Sequence, residues 1–187
     1  MSKPATQRIA TVFPLSLRSA LTVIGGMALL TLGAKIQVPF WPVPLNLQSM
    51  AVMGLALGLG PRLAVATFAA YLAAGASGLP VFAGSPERGV GLLYMAGPTG
   101  GYLIGMLAAS WATGLLGAGR GAVARVGAML AGMALIYGLG VAWLAMYVSA
   151  PRLLAEGIAP FILGDLVKVG IVAAGASLAS GVRHKAS

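Results

Sequence analysis

Apolar runs of membrane-spanning length, cut apart by clusters of glycine and proline, leave this chain few ways to fold. A helix needs about twenty mostly apolar residues to cross the hydrocarbon layer of a bilayer. At that depth every backbone polar group must be satisfied within the protein, which favours helices. The runs fall at roughly 19–38, 47–59, 63–76, 99–116, 123–148 and 158–182. Hydrophobic residues make up 59% of the 187 and charged ones only 8%, with a mean hydropathy of +0.94. Soluble domains carry about a quarter charged residues. The chain is therefore predicted to be an all-α integral membrane protein with six transmembrane helices in one domain, residues 1–187.

The breaks are as informative as the runs. Pro39, Pro42 and Pro44 forbid helix continuation after the first run and favour an extended, rigid segment. The second run is short for a full crossing and stops at Gly60-Pro61-Arg62, so its start is expected within the polar Asn46-Leu47-Gln48 stretch. A long loop over 79–97 carries Glu87 and Arg88, and Gly117 to Gly121 reads as a flexible turn.

Charge tests the topology. The net charge of +9 is scattered among apolar runs rather than gathered on a basic face, which argues against nucleic acid. Six spans put both termini on one side. With that side cytoplasmic, Lys3, Arg8, Arg18, Arg62, Arg120, Arg125, Arg183 and Lys185 lie inside with no acid among them. Lys35, Glu87, Arg88, Arg152 and Glu156 lie outside. This is the positive-inside asymmetry.

Within the last run, Asp165 and Lys168 stand three residues apart on one helical face. Ionisable groups inside membrane segments are costly and usually functional, so this pair is the first candidate ligand site; a helix-joining ion pair is the alternative. Other patterns fail on context. Gly97-Pro98-Thr99-Gly100-Gly101 lacks the Gly-Lys-Ser/Thr ending of a phosphate cradle. Glu87, Glu156 and Asp165 sit in different segments and make no metal cluster, and the lone His184 lies in the terminal tail, far from any triad. Met50, Met53, Met129 and Met133 read as helix packing. No catalytic residue, metal or cofactor is expected.

Five segments together resemble a known family, the biotin-binding BioY-type S-components of energy-coupling factor (ECF) transporters. They are Val38-Pro39 with Pro42-Val43-Pro44-Leu45-Asn46-Leu47-Gln48, Gly60-Pro61-Arg62, Gly78-Leu79-Pro80-Val81-Phe82-Ala83-Gly84, Gly97-Pro98-Thr99-Gly100-Gly101-Tyr102, and Pro160-Phe161 with Gly164-Asp165-Leu166-Val167-Lys168. Each is weak alone; in this order, from the first span to the last, they are specific. Asn46 departs from the threonine usual in the family.

The resemblance implies a six-helix S-component fold that captures biotin at the outer face of a bacterial cytoplasmic membrane. It would present the vitamin to a transmembrane coupling protein driven by two ABC-type ATPases. Asp165 suits the ureido N–H groups of biotin, and Lys168 or Arg88 its carboxylate. Gln48 and Asn46 can supply amide hydrogen bonds, or can cap the second helix. Trp41, Phe82, Tyr94 and Tyr102 offer apolar walls, although Trp41, like Trp143 and Tyr147, also suits an interfacial anchor. Arg88 can equally pair with Glu87 on a solvated loop. The proline segment and the 79–97 loop are expected to close over an outward-facing cavity. Two rivals stand beside this reading: a membrane enzyme acting on lipid, disfavoured by three dispersed acids, and a stand-alone secondary transporter of another metabolite.

Overall fold

The structure is a computed structural model that describes residues 16–38, 43 and 45–185, with side chains to residue 175. Seven helices follow the expected order. They are α1 Leu17–Lys35, α2 Gln48–Ala76, α3 Gly91–Met95, α4 Gly100–Gly117, α5 Ala122–Leu144, α6 Ala150–Gly157 and α7 Ala159–Lys185. Four helical stretches are long and apolar enough to cross a membrane: α1, α2, α5 and Ala150–Gly175. Large apolar side chains point outward along them, among them Ile24 and Leu32 on α1 and Leu163 and Val167 on α7. A bilayer covers such surface, whereas water would not.

Local chemistry explains most boundaries. Ser16 caps α1 by accepting from the Ser19 N–H at 3.2 Å. The first span ends at Lys35, short of the expected Val38. Gln37 and Val38 form strand β1, which pairs antiparallel with β2, Leu45–Asn46, so that Gln37 faces Asn46 and Val38 faces Leu45. Proline chemistry explains this: a residue that precedes proline, as Val38 does, is pushed to extended geometry, and pairing with β2 satisfies the backbone of Gln37 and Val38. Inside α2, Gly60 has φ 76° and ψ 172°, a left-handed geometry that only glycine adopts easily, and Pro61 follows. The second and third runs are therefore two helical halves meeting at a break. With α1, α4, α5 and α7 they make six long helical segments.

Two other expectations shift. The fifth helix stops at Leu144, and residues 145–148 leave it as turns before α6. The outer loop expected around Arg152 and Glu156 is helix α6, with these residues paired at 3.3 Å one turn apart. This exposed pair contributes little, on the order of 0.5 kcal/mol.

Helix α4 sits between α5 and α2 and packs on both, while α1 packs mainly on α2. Glycine makes the approach possible. A Cβ on Gly105 would lie 2.7 Å from the Ile136 Cα, and one on Gly114 would lie 2.7 Å from the Pro61 nitrogen. Met53, Met129 and Met133 fill the core between these helices as the packing reading expected, with Leu30, Phe68, Tyr71 and Leu144.

Two substitutions test the close approach. Gly105→Ala must push α4 off α5 and should cost about 1–3 kcal/mol, read as a lower Tm in detergent. Gly54→Ala, whose Cβ would meet nothing within 4 Å, should be neutral or stabilising by up to about 1 kcal/mol.

Candidate ligand-binding site

A partly open cavity lies between the first turns of α2, the middle of α5 and the start of α7. Its polar end is built from Asn46, Gln48, Ser49, Tyr137, Asp165 and Lys168. Its apolar walls are Val43, Leu103, Met106, Ile136 and Phe161, and Ala83, Tyr94, Thr99 and Tyr102 close the rest.

The polar end is a network around one carboxylate. Asp165 is 6% exposed. Its Oδ1 accepts from Lys168 Nζ at 2.6 Å and from the Ser49 hydroxyl at 3.0 Å. Its Oδ2 accepts from the Tyr137 phenol at 2.5 Å. Lys168 Nζ donates in addition to the Asn46 carbonyl at 2.5 Å and to Ser49 Oγ at 3.2 Å. All three ammonium protons are thereby engaged. The pair is both the ion pair and the cavity-facing group that its spacing suggested; the two alternatives coincide.

The valences left over are specific. An ionised carboxylate offers about four lone-pair positions; three are filled, and one remains on Oδ2. Gln48 is 2% exposed, and its Nε2 completes no hydrogen bond of ordinary geometry, although its side chain reaches the Tyr71 phenol. A buried amide donor left without a full bond costs roughly 1–3 kcal/mol. Gln48 and Asp165 both belong to the cavity lining, so an under-used amide group and one open acceptor position border the same space. Asn46 is committed differently. Its Oδ1 accepts from the Gln48 N–H at 3.0 Å in an Asx turn that leads into α2; the N-cap itself is Leu47, which has no side-chain cap bond, so the capping role expected of Asn46 is not the one it takes.

The 79–97 segment is no solvated loop. Phe82, Ala83, Ser85 and Tyr94 are all buried. Tyr94 stacks on Phe82 with ring centroids 4.8 Å apart, and its phenol donates to the Ala83 carbonyl at 2.7 Å. Burial pushes this phenol above the ordinary tyrosine pKa, so it stays a neutral donor. Tyr102 donates to the Gly157 carbonyl at 2.8 Å and turns its ring to the cavity. Trp143 and Tyr147 donate to the Gly97 and Ala96 carbonyls, tying the end of α5 to the segment before α4.

Of the expected site residues, Asp165, Lys168, Gln48, Asn46, Tyr94 and Tyr102 converge on the cavity. Phe82 does not line it: the ring is fully buried over Gly75 and supports Tyr94 from behind. Arg88 is also outside the lining, its side chain folded over Gly84. Trp41 lies outside the described residues. Ser49, Tyr137 and Phe161 belong to the site and were not singled out from sequence. A phenol in mid-span, far from the membrane interface, is the signal that marks Tyr137.

The chain is similar to known proteins in sequence and in fold. The BioY family profile matches residues 5–184. The probable biotin transporter BioY of Pyrococcus horikoshii is 42% identical over 142 residues, covering 76% of this chain and 83% of the relative. The biotin transporter BioY of Thermotoga maritima is 38% identical over 148 residues, covering 78% and 86%. That of Rhodobacter capsulatus is 39% identical over 173 residues, covering 81% and 90%. The crystal structure of the S-component for biotin from an ECF-type ABC transporter superposes with a TM-score of 0.68 at 26% identity, covering 94% of this chain and 93% of that one. The relatives are transporters, and the apolar helices make this chain a multi-pass membrane protein. By profile, sequence and fold, the chain belongs to the BioY family.

Proposed function

We propose that this chain captures biotin and serves as the substrate-specific component of an ECF-type vitamin transporter. The observation that carries the reading is that one cavity is lined both by Gln48, whose buried Nε2 completes no hydrogen bond of ordinary geometry, and by Asp165, whose Oδ2 keeps one open position. A cyclic urea places an acceptor carbonyl next to N–H donors, so the ureido ring of biotin answers both at once. Leu103, Met106, Ile136 and Phe161 suit its thioether ring and aliphatic chain. Lys168 is saturated by protein acceptors, so Arg88, whose side chain lies over Gly84 next to the lining residue Ala83, is the favoured cation for the ligand carboxylate, and Trp41 is kept as an apolar contact for the ligand.

The same reading extends to the assembly. The chain binds and carries, needs no cofactor and catalyses nothing, while a transmembrane coupling protein and two ABC-type ATPases supply the work. It sits in a bacterial cytoplasmic membrane with both termini inside, the orientation that leaves the inner segments free of acids. The cavity then opens outward, where biotin arrives. The likeness to biotin transporters and to a biotin S-component favours this over a stand-alone transporter of another metabolite.

Equilibrium binding to the detergent-solubilised protein is the decisive measurement, and absence of biotin affinity overturns the proposal. Gln48→Leu removes a buried donor that lacks a full bond, so the Tm should hold or rise while biotin affinity falls about 10- to 100-fold, the equivalent of one lost hydrogen bond to a buried group. Asp165→Asn strands Lys168 and should cost about 3–5 kcal/mol of stability. The double variant Asp165→Asn with Lys168→Met should recover much of that stability without recovering binding. In proteoliposomes, biotin uptake should require the coupling protein, the ATPases and ATP; ion-driven uptake by this chain alone would contradict the assembly.

A further inference from the structure

We propose that Lys35 is a positioning residue that latches the cavity roof shut and sets how fast ligand enters and leaves. Its regulation of the site rests on the biotin reading above. Lys35 is the last residue of α1 and is not part of the cavity lining. Its Nζ donates to the Ser85 carbonyl at 2.5 Å, to the Ser85 hydroxyl at 3.0 Å and to the Phe82 carbonyl at 3.1 Å. All three of its protons therefore go to one short piece of the 79–97 segment.

Those acceptors bracket the roof. Ala83, between Phe82 and Ser85, lines the cavity, and Tyr94 lines it while stacked on Phe82 and bonded to the Ala83 carbonyl. The roof has weaker ties besides: the Ser85 hydroxyl donates to its own neighbour Phe82 at 2.7 Å, and the Tyr71 phenol donates to the Val81 carbonyl at 3.0 Å. Charge-assisted bonds are about twice as strong as neutral ones, so Lys35 supplies the strongest polar tie between residues 82–85 and another element, beside the packing of Phe82 on Gly75 and the Trp143 and Tyr147 bonds to Gly97 and Ala96 at the far end of the segment. α1 itself packs chiefly on α2 and touches β2, with an outer face of exposed apolar residues. A shift of α1 against α2 would carry the Lys35 ammonium with it and release Phe82 and Ser85, and with them the wall formed by Ala83 and Tyr94. Ligand exit is thereby coupled to α1, a long helix none of whose described residues lines the cavity.

The chain has no cysteine, so single introduced thiols report opening cleanly. Ala83→Cys places a thiol at a roof position that is 3% exposed, and Ser110→Cys places one in the core of α4 at 2% exposed. In ligand-free protein, Lys35→Met should speed maleimide labelling of Ala83→Cys about tenfold or more, the loss of charge-assisted bonds expressed as local opening. Ser110→Cys should stay slow, and Lys35→Arg should restore slow roof labelling. Unchanged roof labelling, or equal acceleration at Ser110→Cys, overturns the latch, because the first means no opening and the second means general loosening. Labelled biotin should also dissociate about tenfold faster from Lys35→Met than from the unaltered protein. Roof labelling that accelerates with unchanged biotin dissociation overturns the claim that the latch sets residence time. The thiol measurement needs no ligand, so failure of the parent protein to bind biotin would strike the proposed function and leave the labelling result standing.

Discussion

A carboxylate buried inside a membrane protein carries a desolvation cost of several kcal/mol, recovered only if its lone pairs are met by well-placed donors. The arrangement around Asp165 follows from that requirement. Ser49 from α2, Tyr137 from α5 and Lys168 from the next turn of α7 each bring a donor, and the Asn46 carbonyl of β2 takes another proton of Lys168. Three helices and the strand pair are thus held at one point. α7 turns much of its remaining surface outward, with Ile162, Leu163, Leu166 and Val167 exposed, so the network is a principal attachment of that helix. The same condition decides what the cavity can hold, because the protein meets all but one valence of the carboxylate and leaves the Gln48 amide under-used in the same lining.

Around this polar point the rest is apolar close packing. Without a hydrophobic driving force between helices in lipid, association depends on intimate contact and small residues. Gly101, Gly105 and Gly114 let α4 meet the backbones of α5 and of the broken α2. The break at Gly60 and Pro61 matters for this, since Gly114 of α4 packs directly on it. Space is left unfilled near the Asp165 network, where aromatic and aliphatic side chains border a cavity. A closely packed scaffold with an unfilled, partly polar gap is suited to hold a small ligand. A roof tied to α1 by the Lys35 ammonium group and to α2 by the Tyr71 phenol is suited to admit and release it.

Much of this was legible in the chain. The apolar runs, the Gly60-Pro61 interruption and the prolines after Val38 are local backbone facts, and the six long helical segments follow from them. The i, i+3 spacing of Asp165 and Lys168 placed both on one face, where they are found. Boundaries moved where a neighbour decided the geometry: Gln37 and Val38 left the helix because Leu45 and Asn46 pair with them. Phe82 read as a wall and proved to be a support, because its aromatic character says that it will be buried but not against which surface. Ser49 and Tyr137 carry ordinary hydroxyls whose importance exists only through Asp165, a partner more than a hundred residues away for Ser49.

Composition and periodicity were sufficient for the class, the helices, the membrane and the residues too costly to be incidental, since each is set by the solvent a segment must occupy and by the period of a helix. Which valences remain open was decided by folding. Gln48 and Asn46 are neighbours in a polar triplet, yet one is committed to the turn that leads into α2 and the other lines the cavity with its Nε2 short of a full bond. Lys35 and Lys168 are both lysines at the edge of apolar runs, yet one closes a roof and the other neutralises a carboxylate. Hydrogen-bond capacity is a property of the residue, but satisfaction depends on which distant atoms arrive within about 3 Å, and only packing brings them there.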